Sequence, residues 1–137
     1  LVKTSLLNHK APLFSLMNPS GQVVNLEDYI GKKTVLLDFW ASWCGPCIKE
    51  MNGYKEAFKK IEMNDIVIIS VSTDKTREAW LSGLARFQFP WVQLIDDPNA
   101  AAVAKKYGIR ELPTNFLIDK DGVIKAKNVT LVDLLKK

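Results

Sequence analysis

The sequence has the size and composition of one globular domain. Its 137 residues are 47% hydrophobic and 25% charged, and no stretch is long and apolar enough to predict a membrane span. The net charge of +4 comes from 19 basic and 15 acidic residues scattered along the chain, which argues against a nucleic-acid groove and for a solvated, mildly basic surface. We expect a single domain over residues 1–137, processed or excised from a longer, membrane-anchored or multidomain precursor, because the chain begins without a methionine.

The first elements predicted are a β-hairpin and a short helical turn. Apolar residues alternate with others over 14–17, turn-forming residues occupy 18–21, and a second short strand follows at 23–24. Asn25 is expected to cap a helical turn over 26–30.

A central strand is predicted at 34–40. Its sequence, Thr-Val-Leu-Leu-Asp-Phe-Trp, is too continuously apolar for an edge strand with one wet face, so we expect cover on both sides. Apolar residues then recur every three or four positions from Ile48 to Ile61, which predicts one helix over about 46–62. The β-branched run at 66–71 predicts a second central strand.

Helices and strands continue to alternate in the second half. Thr73 or Asp74 is expected to cap a helix that ends near Phe87, and a strand is predicted at 91–95. The sequence Asp-Pro-Asn then predicts the start of a helix over 97–107.

The chain closes with a second hairpin and a last helix. Strands are predicted at 114–118 and 123–126, joined by a turn with Asp-Gly chemistry. Thr130 and Asp133 form a potential capping box for a helix over 131–136. The alternation as a whole predicts an α/β fold, with helices on both faces of a mixed sheet.

The only two cysteines lie between a predicted strand and a predicted helix, in Trp43-Cys44-Gly45-Pro46-Cys47. A cysteine at a helix N-terminus faces unsatisfied amides and the positive end of the helix dipole, so Cys44 is the candidate nucleophile. Cys47 lies one helical turn away and can attack a mixed disulfide formed at Cys44, which makes it the candidate resolving thiol. Pro46 suits a first helical turn, and Gly45 lets a partner's backbone approach closely.

Two other uses of the cysteine pair are less favoured. A structural zinc site needs four ligands, and the chain offers no third cysteine and only His9, which we interpret as a surface residue. A structural disulfide closing so short a loop would constrain the unfolded chain little. We therefore expect no metal, and no cofactor other than a redox-active disulfide between Cys44 and Cys47.

Segments far apart in the sequence resemble the thioredoxin superfamily. The sequence Asp-Phe-Trp-Ala-Ser-Trp-Cys-Gly-Pro-Cys at 38–47 resembles the active-site segment of thioredoxin, and Leu-Pro-Thr at 112–114 lies where the superfamily has its cis-proline loop. The segment at 11–16 and the helix and strand between about 75 and 96 are similar to the N-terminal extension and central insertion of bacterial TlpA- and ResA-like thiol-disulfide oxidoreductases. The resemblance covers nearly the whole chain.

The resemblance implies a thioredoxin fold, in which helices flank a central mixed sheet, with an N-terminal β-hairpin and a central helix–strand insertion. It also implies dithiol–disulfide exchange, in which Cys44 attacks and Cys47 resolves. The substrate's backbone would rest against the loop formed by Leu112 and Pro113, with Pro113 in the cis-proline role and Trp43 flanking the site.

Asp38 lies in the middle of the predicted central strand. An ionised, unpaired acid there would cost several kcal/mol, so we expect its pKa to rise and Asp38 to exchange a proton with Cys47. The resemblance implies the same role, since it is assigned to the matching acid of thioredoxin. An alternative stays open, in which Asp38 turns to solvent or is satisfied by a serine such as Ser70.

The sequence departs from the family pattern in three places. The lysine that accompanies the buried acid of thioredoxin is missing from the strand at 68–72. Thr73 and Asp74 stand where ResA-like proteins place a functional glutamate, and Asn52 with Gly53 replaces the usual helix proline. These departures leave open how the resolving thiol loses its proton, whether Asp74 assists, and whether the helix is kinked.

The function expected from these features is reduction of disulfides in envelope proteins through a mixed-disulfide intermediate. Gly-Pro between the cysteines resembles thioredoxin, whose reduction potential is about −270 mV, rather than strong oxidants, whose potential is about −120 mV. The expected partners are a disulfide-bearing protein and a membrane or soluble thiol reductant, with no nucleic acid, and the chain is expected to act as a monomer. A chain whose only cysteines are the active pair suits the periplasm or the outer face of a bacterial envelope, with the cytoplasm as the alternative.

Two alternative functions are considered. Peroxiredoxins share the fold but have a proline and a threonine shortly before the reactive cysteine, where this chain has Leu37 and Ala41. A thioredoxin-like binding module would hold its partner without chemistry, so a Cys47→Ser variant would form no covalent adduct through Cys44.

Overall fold

The computed structural model describes residues 5–136, whose strands form one mixed sheet. The strands are β1 (Ser15–Met17), β2 (Val23–Asn25), β3 (Thr34–Trp40), β4 (Ile66–Ser72), β5 (Val92–Ile95), β6 (Thr114–Ile118) and β7 (Ile124–Lys127). Their order across the sheet is β2-β1-β5-β4-β3-β6-β7. Strands β3, β4 and β5 are parallel, and the remaining pairs are antiparallel.

Helices cover both faces of this sheet. They are a 3-10 turn (Leu26–Tyr29), α1 (Gly45–Glu56), α2 (Phe58–Met63), α3 (Arg77–Phe87), α4 (Ala102–Lys106) and α5 (Leu131–Leu135). One apolar layer contains side chains of α1, α2, α3 and α5, and the other contains side chains of α4 and the 3-10 turn. The predicted α/β fold is therefore confirmed, with the N-terminal hairpin joined to the sheet where Met17 pairs with Ile95 of the inserted strand.

Strand β3 is the centre of the sheet and leads directly into the cysteine segment. It pairs with β4 over its whole length and with β6 over most of it, and every residue from Val35 to Trp40 is buried. Leu36 and Trp40 face the layer that contains α1, whereas Leu37 and Phe39 face the layer that contains α4. The continuous apolar run predicted this strand with its exact bounds.

The helix predicted over 46–62 is two helices. Helix α1 ends at Glu56 and α2 begins at Phe58, with Ala57 at the junction in a conformation (φ −97°, ψ 11°) outside the helical region. The three-to-four residue spacing of apolar side chains continues across the break, because both helices face the same core. Periodicity therefore could not reveal it.

The caps predicted for α3 were wrong. Thr76 caps this helix, since its hydroxyl accepts a hydrogen bond from the Ala79 N–H at 3.1 Å. Thr73 instead donates its hydroxyl to the Trp40 carbonyl at 3.2 Å, and the Asp74 carboxylate bonds a loop outside the helix. Both residues connect the segment that follows β4 to the segment that follows β3, at Trp40 and Ser42.

Two other helix starts also differ from expectation. Asn25 makes no capping hydrogen bond to the 3-10 turn, because its side-chain oxygen accepts from the Ser15 hydroxyl. Helix α4 begins at Ala102 rather than at 97, and the Asp96 carboxylate accepts hydrogen bonds from the amides of Val103 and Ala104. A carboxylate outside the helix thus satisfies its first amides.

The capping box at the last helix is confirmed. The Asp133 N–H donates to the Thr130 hydroxyl at 3.2 Å, and the Thr130 N–H donates to the Asp133 carboxylate at 3.0 Å. Helix α5 follows over Leu131–Leu135, one residue shorter than predicted.

Candidate active site

Cys44 and Cys47 form a disulfide at the N-terminus of α1, so the structure is that of the oxidised form. Cys44 is the N-cap residue of α1, and its sulfur accepts a hydrogen bond from the Cys47 N–H at 3.2 Å. Pro46 lies in the first turn, where its missing N–H costs no hydrogen bond. When the disulfide is opened, the same amide and the helix dipole favour a charged sulfur at Cys44.

Both cysteines of the disulfide are buried, Cys47 more completely than Cys44. Cys47 is fully buried, whereas Cys44 retains 4% exposure, and the neighbouring Trp43 is 73% exposed. Gly45 and Pro46 are also exposed, and a Cβ built on Gly45 would meet no atom within 4 Å. The fold itself therefore does not require a glycine here, and the surface beside Cys44 is open to a partner.

The Leu112–Pro113 loop directly precedes β6, which pairs with the strand that leads into the cysteine segment. Its peptide bond is cis, both residues are half-buried, and Leu112 packs against the core layer that contains the two cysteines. The loop precedes β6, whose first residue, Thr114, pairs with Phe39 near the end of β3. The Thr114 hydroxyl also donates to the Glu111 carbonyl at 2.7 Å, and this bond connects the two ends of the loop.

Asp38 is buried in the sheet beneath α1, with 1% exposure. Its neighbours in register are Ser70 on β4 and Asn115 on β6. Neither carboxylate oxygen has a hydrogen-bond partner of standard geometry among residues 5–136. Burial raises the pKa of Asp38 well above its usual range, the negative charge of Glu50 adds to the rise, and the Ser70 hydroxyl offsets part of it.

This placement excludes one part of the alternative considered for Asp38, exposure to solvent, and leaves the other part, satisfaction by Ser70, open. Exposure to solvent is excluded, and the rise in the pKa follows the expected direction and cause. Asp38 shares the face of β3 with Leu36 and Trp40, which pack in the same layer as Cys47. The carboxyl group thus lies on the same side of the sheet as Cys47.

Glu50 is a site residue that the sequence reasoning missed. It is half-buried on α1, three residues after Cys47, and its charge raises the pKa values of both Asp38 and Tyr54. Burial is the largest cause of the raised pKa of Tyr54, and the charges of Asp38 and Glu50 add to the rise. The available signal was helical spacing, since residues three apart share one face of a helix.

Asp74 lies at a different part of the site from Asp38. Its carboxylate accepts the Ser42 N–H at 3.1 Å, the Ser42 hydroxyl at 2.7 Å and the Ser72 hydroxyl at 2.6 Å. Ser42 directly precedes Trp43, so Asp74 holds the loop that presents the cysteines. Gly83 of α3 packs on the same loop, and a Cβ there would lie 2.8 Å from the Ser42 Cβ.

No group of three or more His, Cys, Asp or Glu side chains within residues 5–136 is arranged to hold a metal ion. The same part of the chain contains no helix long and apolar enough to cross a bilayer.

The sequence is similar to those of known thiol-disulfide oxidoreductases. The AhpC/TSA family model matches residues 7–127. Among curated proteins, the chain is 35% identical over 118 residues to thiol-disulfide oxidoreductase ResA of Bacillus thuringiensis subsp. konkukian, a match that covers 86% of this chain and 66% of ResA. It is 34% identical over 118 residues to thioredoxin-like protein YneN of Bacillus subtilis, covering 84% of this chain and 66% of YneN. The chain thus spans about two thirds of the length of these relatives.

Solved structures show the same fold. The thioredoxin domain of a thiol-disulfide oxidoreductase from Bacteroides vulgatus aligns with a TM-score of 0.85 at 28% identity, covering 95% of this chain and 93% of that domain. A thiol-disulfide oxidoreductase from Bacteroides fragilis aligns with a TM-score of 0.81 at 33% identity, covering 93% of this chain and 97% of the other.

Proposed function

Because the chain belongs to the AhpC/TSA family and, within it, to the ResA-like thiol-disulfide oxidoreductases, we propose that its Cys44–Cys47 pair reduces disulfides of partner proteins in the bacterial cell envelope. The observation that carries this proposal is the setting of Cys44. Its sulfur accepts an amide hydrogen bond at a helix N-terminus, next to the exposed Trp43, and Leu112, which precedes the cis bond to Pro113, packs on the core layer that contains both cysteines. That setting favours a thiolate where a partner can reach it.

The first chemical step is attack by the reduced Cys44 thiolate on one sulfur of a partner's disulfide. The partner's S–S bond breaks, a disulfide forms between Cys44 and the partner, and the partner's other sulfur leaves as a thiolate that takes a proton from water. The partner's extended backbone rests against a surface formed by Trp43, Gly45, Pro46, Leu112 and Pro113.

The second step releases the partner. Cys47 passes its thiol proton to the Asp38 carboxylate and attacks the Cys44 sulfur, so the intramolecular disulfide forms and the partner's remaining sulfur leaves as a thiolate. Two electrons have then moved from the dithiol to the partner's disulfide. The raised pKa supports Asp38 in this role, because a carboxylate of higher pKa is a stronger base toward a thiol.

A thiol reductant, membrane-bound or soluble, would restore the dithiol by the reverse sequence of bonds. The disulfide serves as the only redox group, the chain acts as a monomer, and the periplasm or the outer face of the envelope is its compartment. The cytoplasm is the alternative, and a reduction potential near about −270 mV, as in thioredoxin, would fit the reducing direction.

The test is to trap partners in the native compartment with Cys47→Ser. This variant should accumulate mixed disulfides through Cys44 that a reductant releases, and the matched Cys44→Ser variant should accumulate far fewer. Noncovalent capture by both variants alike would instead indicate a binding module. Rapid consumption of hydrogen peroxide would favour a peroxidase, although the places of the peroxiredoxin proline and threonine hold the buried, apolar Leu37 and Ala41.

A further inference from the structure

A row of polar side chains crosses the sheet beneath α1. The register places Asn115, Asp38, Ser70 and Gln93 side by side on β6, β3, β4 and β5. All four are buried in an otherwise apolar layer, so each needs a hydrogen-bond partner within the protein.

Asn115 has no hydrogen left to give to Asp38. Its amide nitrogen donates to the Val129 carbonyl at 3.0 Å and to the Tyr54 hydroxyl at 3.2 Å. Its amide oxygen accepts the Val129 N–H at 2.9 Å. Both amide hydrogens are therefore used, and Asp38 has to find a donor on its other side.

Ser70, the neighbour of Asp38 in register on β4, has a hydroxyl hydrogen that is still available, and Trp91 sets the direction of that hydroxyl. The Trp91 indole N–H donates to the Ser70 hydroxyl oxygen at 2.8 Å, and both side chains are buried. Since the oxygen accepts on the Trp91 side, its own hydrogen points away from the indole. The acceptors beside it are the Asp38 carboxylate and the Gln93 amide oxygen, and a carboxylate is the stronger acceptor.

We propose that Ser70 and Trp91 are positioning residues for Asp38, with Trp91 orienting the Ser70 hydroxyl so that it donates to the carboxylate that receives the Cys47 proton. Ser70 lies on the strand from which the lysine of thioredoxin is missing, and Trp91 directly precedes the neighbouring strand β5. The inference rests on the proposed function, in which Asp38 is the proton acceptor.

The effect of the pair is on the pH at which Asp38 ionises. A hydrogen bond donated to a carboxylate stabilises the charged form, so loss of the bond raises the pKa of Asp38 further. Glu50 and Tyr54 of α1 are the titratable groups that interact with Asp38, and Cys47 of the same helix packs in the same layer. The adjacent strands contribute neutral side chains.

The experiment compares the titration of Asp38 in three variants. Carboxyl carbon NMR of the oxidised protein gives the midpoint for Asp38, since the cysteines do not titrate in that form. Ser70→Ala and Trp91→Phe should each raise the midpoint by about one to two pH units, and Ser70→Thr, which keeps the hydroxyl, should restore it. The matched control is Trp80→Phe, because Trp80 is also buried but its indole N–H finds no hydrogen-bond partner within residues 5–136.

A second measurement follows the pH dependence of the resolving step, as release of reduced partner from a mixed disulfide at Cys44. Its midpoint should move upward together with the Asp38 titration. An unchanged titration in Ser70→Ala, or a Trp91→Phe midpoint no higher than that of Trp80→Phe, would overturn the inference while leaving disulfide exchange intact. Shifted titrations in a protein that exchanges no disulfide would overturn the proposed function, and with it the catalytic use of the bond.

Discussion

The carboxylate of Asp74 accepts both the backbone amide and the hydroxyl of Ser42, which lies 32 residues earlier in the chain. These bonds connect the end of β4 to the loop that precedes Cys44. Because the amide and hydroxyl lose water when the loop packs, each depends on Asp74 for its hydrogen bond. The stability of the fold and the position of the reactive sulfur are therefore linked through one side chain.

Asp74→Asn should lower the stability of the fold and hold the loop before Cys44 less firmly. An amide presents one acceptor oxygen instead of two, so at least one of the Ser42 and Ser72 donors loses its partner, and we expect a loss of about 2 kcal/mol in the free energy of unfolding. Reduction of a partner disulfide should slow as well, since the loop is held less firmly. Asp97→Asn, in an exposed turn, is the control and should change neither the urea midpoint nor the rate.

Gly83→Ala should destabilise the protein although alanine favours helices. The new Cβ would lie 2.8 Å from the Ser42 Cβ, which forces a shift of the loop at a cost of about 1–3 kcal/mol. Gly53→Ala in α1 is the matched control, because its Cβ would lie 3.8 Å from a Leu131 methyl group, and it should stabilise by about 0.5–1 kcal/mol. Equal melting temperatures for the two variants would contradict the assigned contact.

Asp38→Asn should make the oxidised protein more stable, and the gain should depend on pH. The unfolded chain releases the Asp38 proton near pH 3.9, whereas the folded protein keeps it to higher pH because its pKa is raised. Between these two values the folded state binds more protons, so wild-type stability falls as pH rises, and the fall ends once the folded carboxyl also ionises. The variant lacks this fall.

Denaturant titrations of the oxidised forms from pH 4 to 9 measure the difference. The two stability curves should converge near pH 4 and separate upward, by about 1.4 kcal/mol for each unit by which the pKa is raised. Parallel curves would show that burial does not disfavour the charged carboxyl.

Trp43→Ala should affect activity without affecting stability. The side chain is 73% exposed, so its removal should change the free energy of unfolding by less than about 0.5 kcal/mol. Loss of its contact with a partner should lower kcat/KM for a protein disulfide by about tenfold, or about 1.4 kcal/mol. Met63→Ala, at an equally exposed position away from the cysteines, should leave kcat/KM unchanged.

Local patterns were sufficient for the elements that local chemistry determines. The apolar run predicted β3 exactly, the Thr130–Asp133 spacing predicted the capping box, and the place of Cys44 before a helix predicted its N-cap position. In each case the residues that decide the structure are neighbours in the sequence.

The features that were missed depend on contacts between distant residues. Asp74 was expected to cap a helix but bonds Ser42, and nothing near it in the sequence indicates that partner. The break at Ala57 is hidden by the continuous apolar spacing on both sides of it. Glu50 acquires its effect on Asp38 only when α1 packs on the sheet, so its role could not be inferred from the helix alone.

The complete burial of Cys47 has a kinetic consequence. In the proposed cycle, a disulfide-bearing substrate and a thiol reductant would both have to react at the Cys44 sulfur, so they would compete for one atom. Turnover by the proposed mechanism would then alternate between two half-reactions, which predicts parallel lines in double-reciprocal plots and inhibition by excess of either partner. The depth of one sulfur atom thereby sets the order of events for the whole cycle.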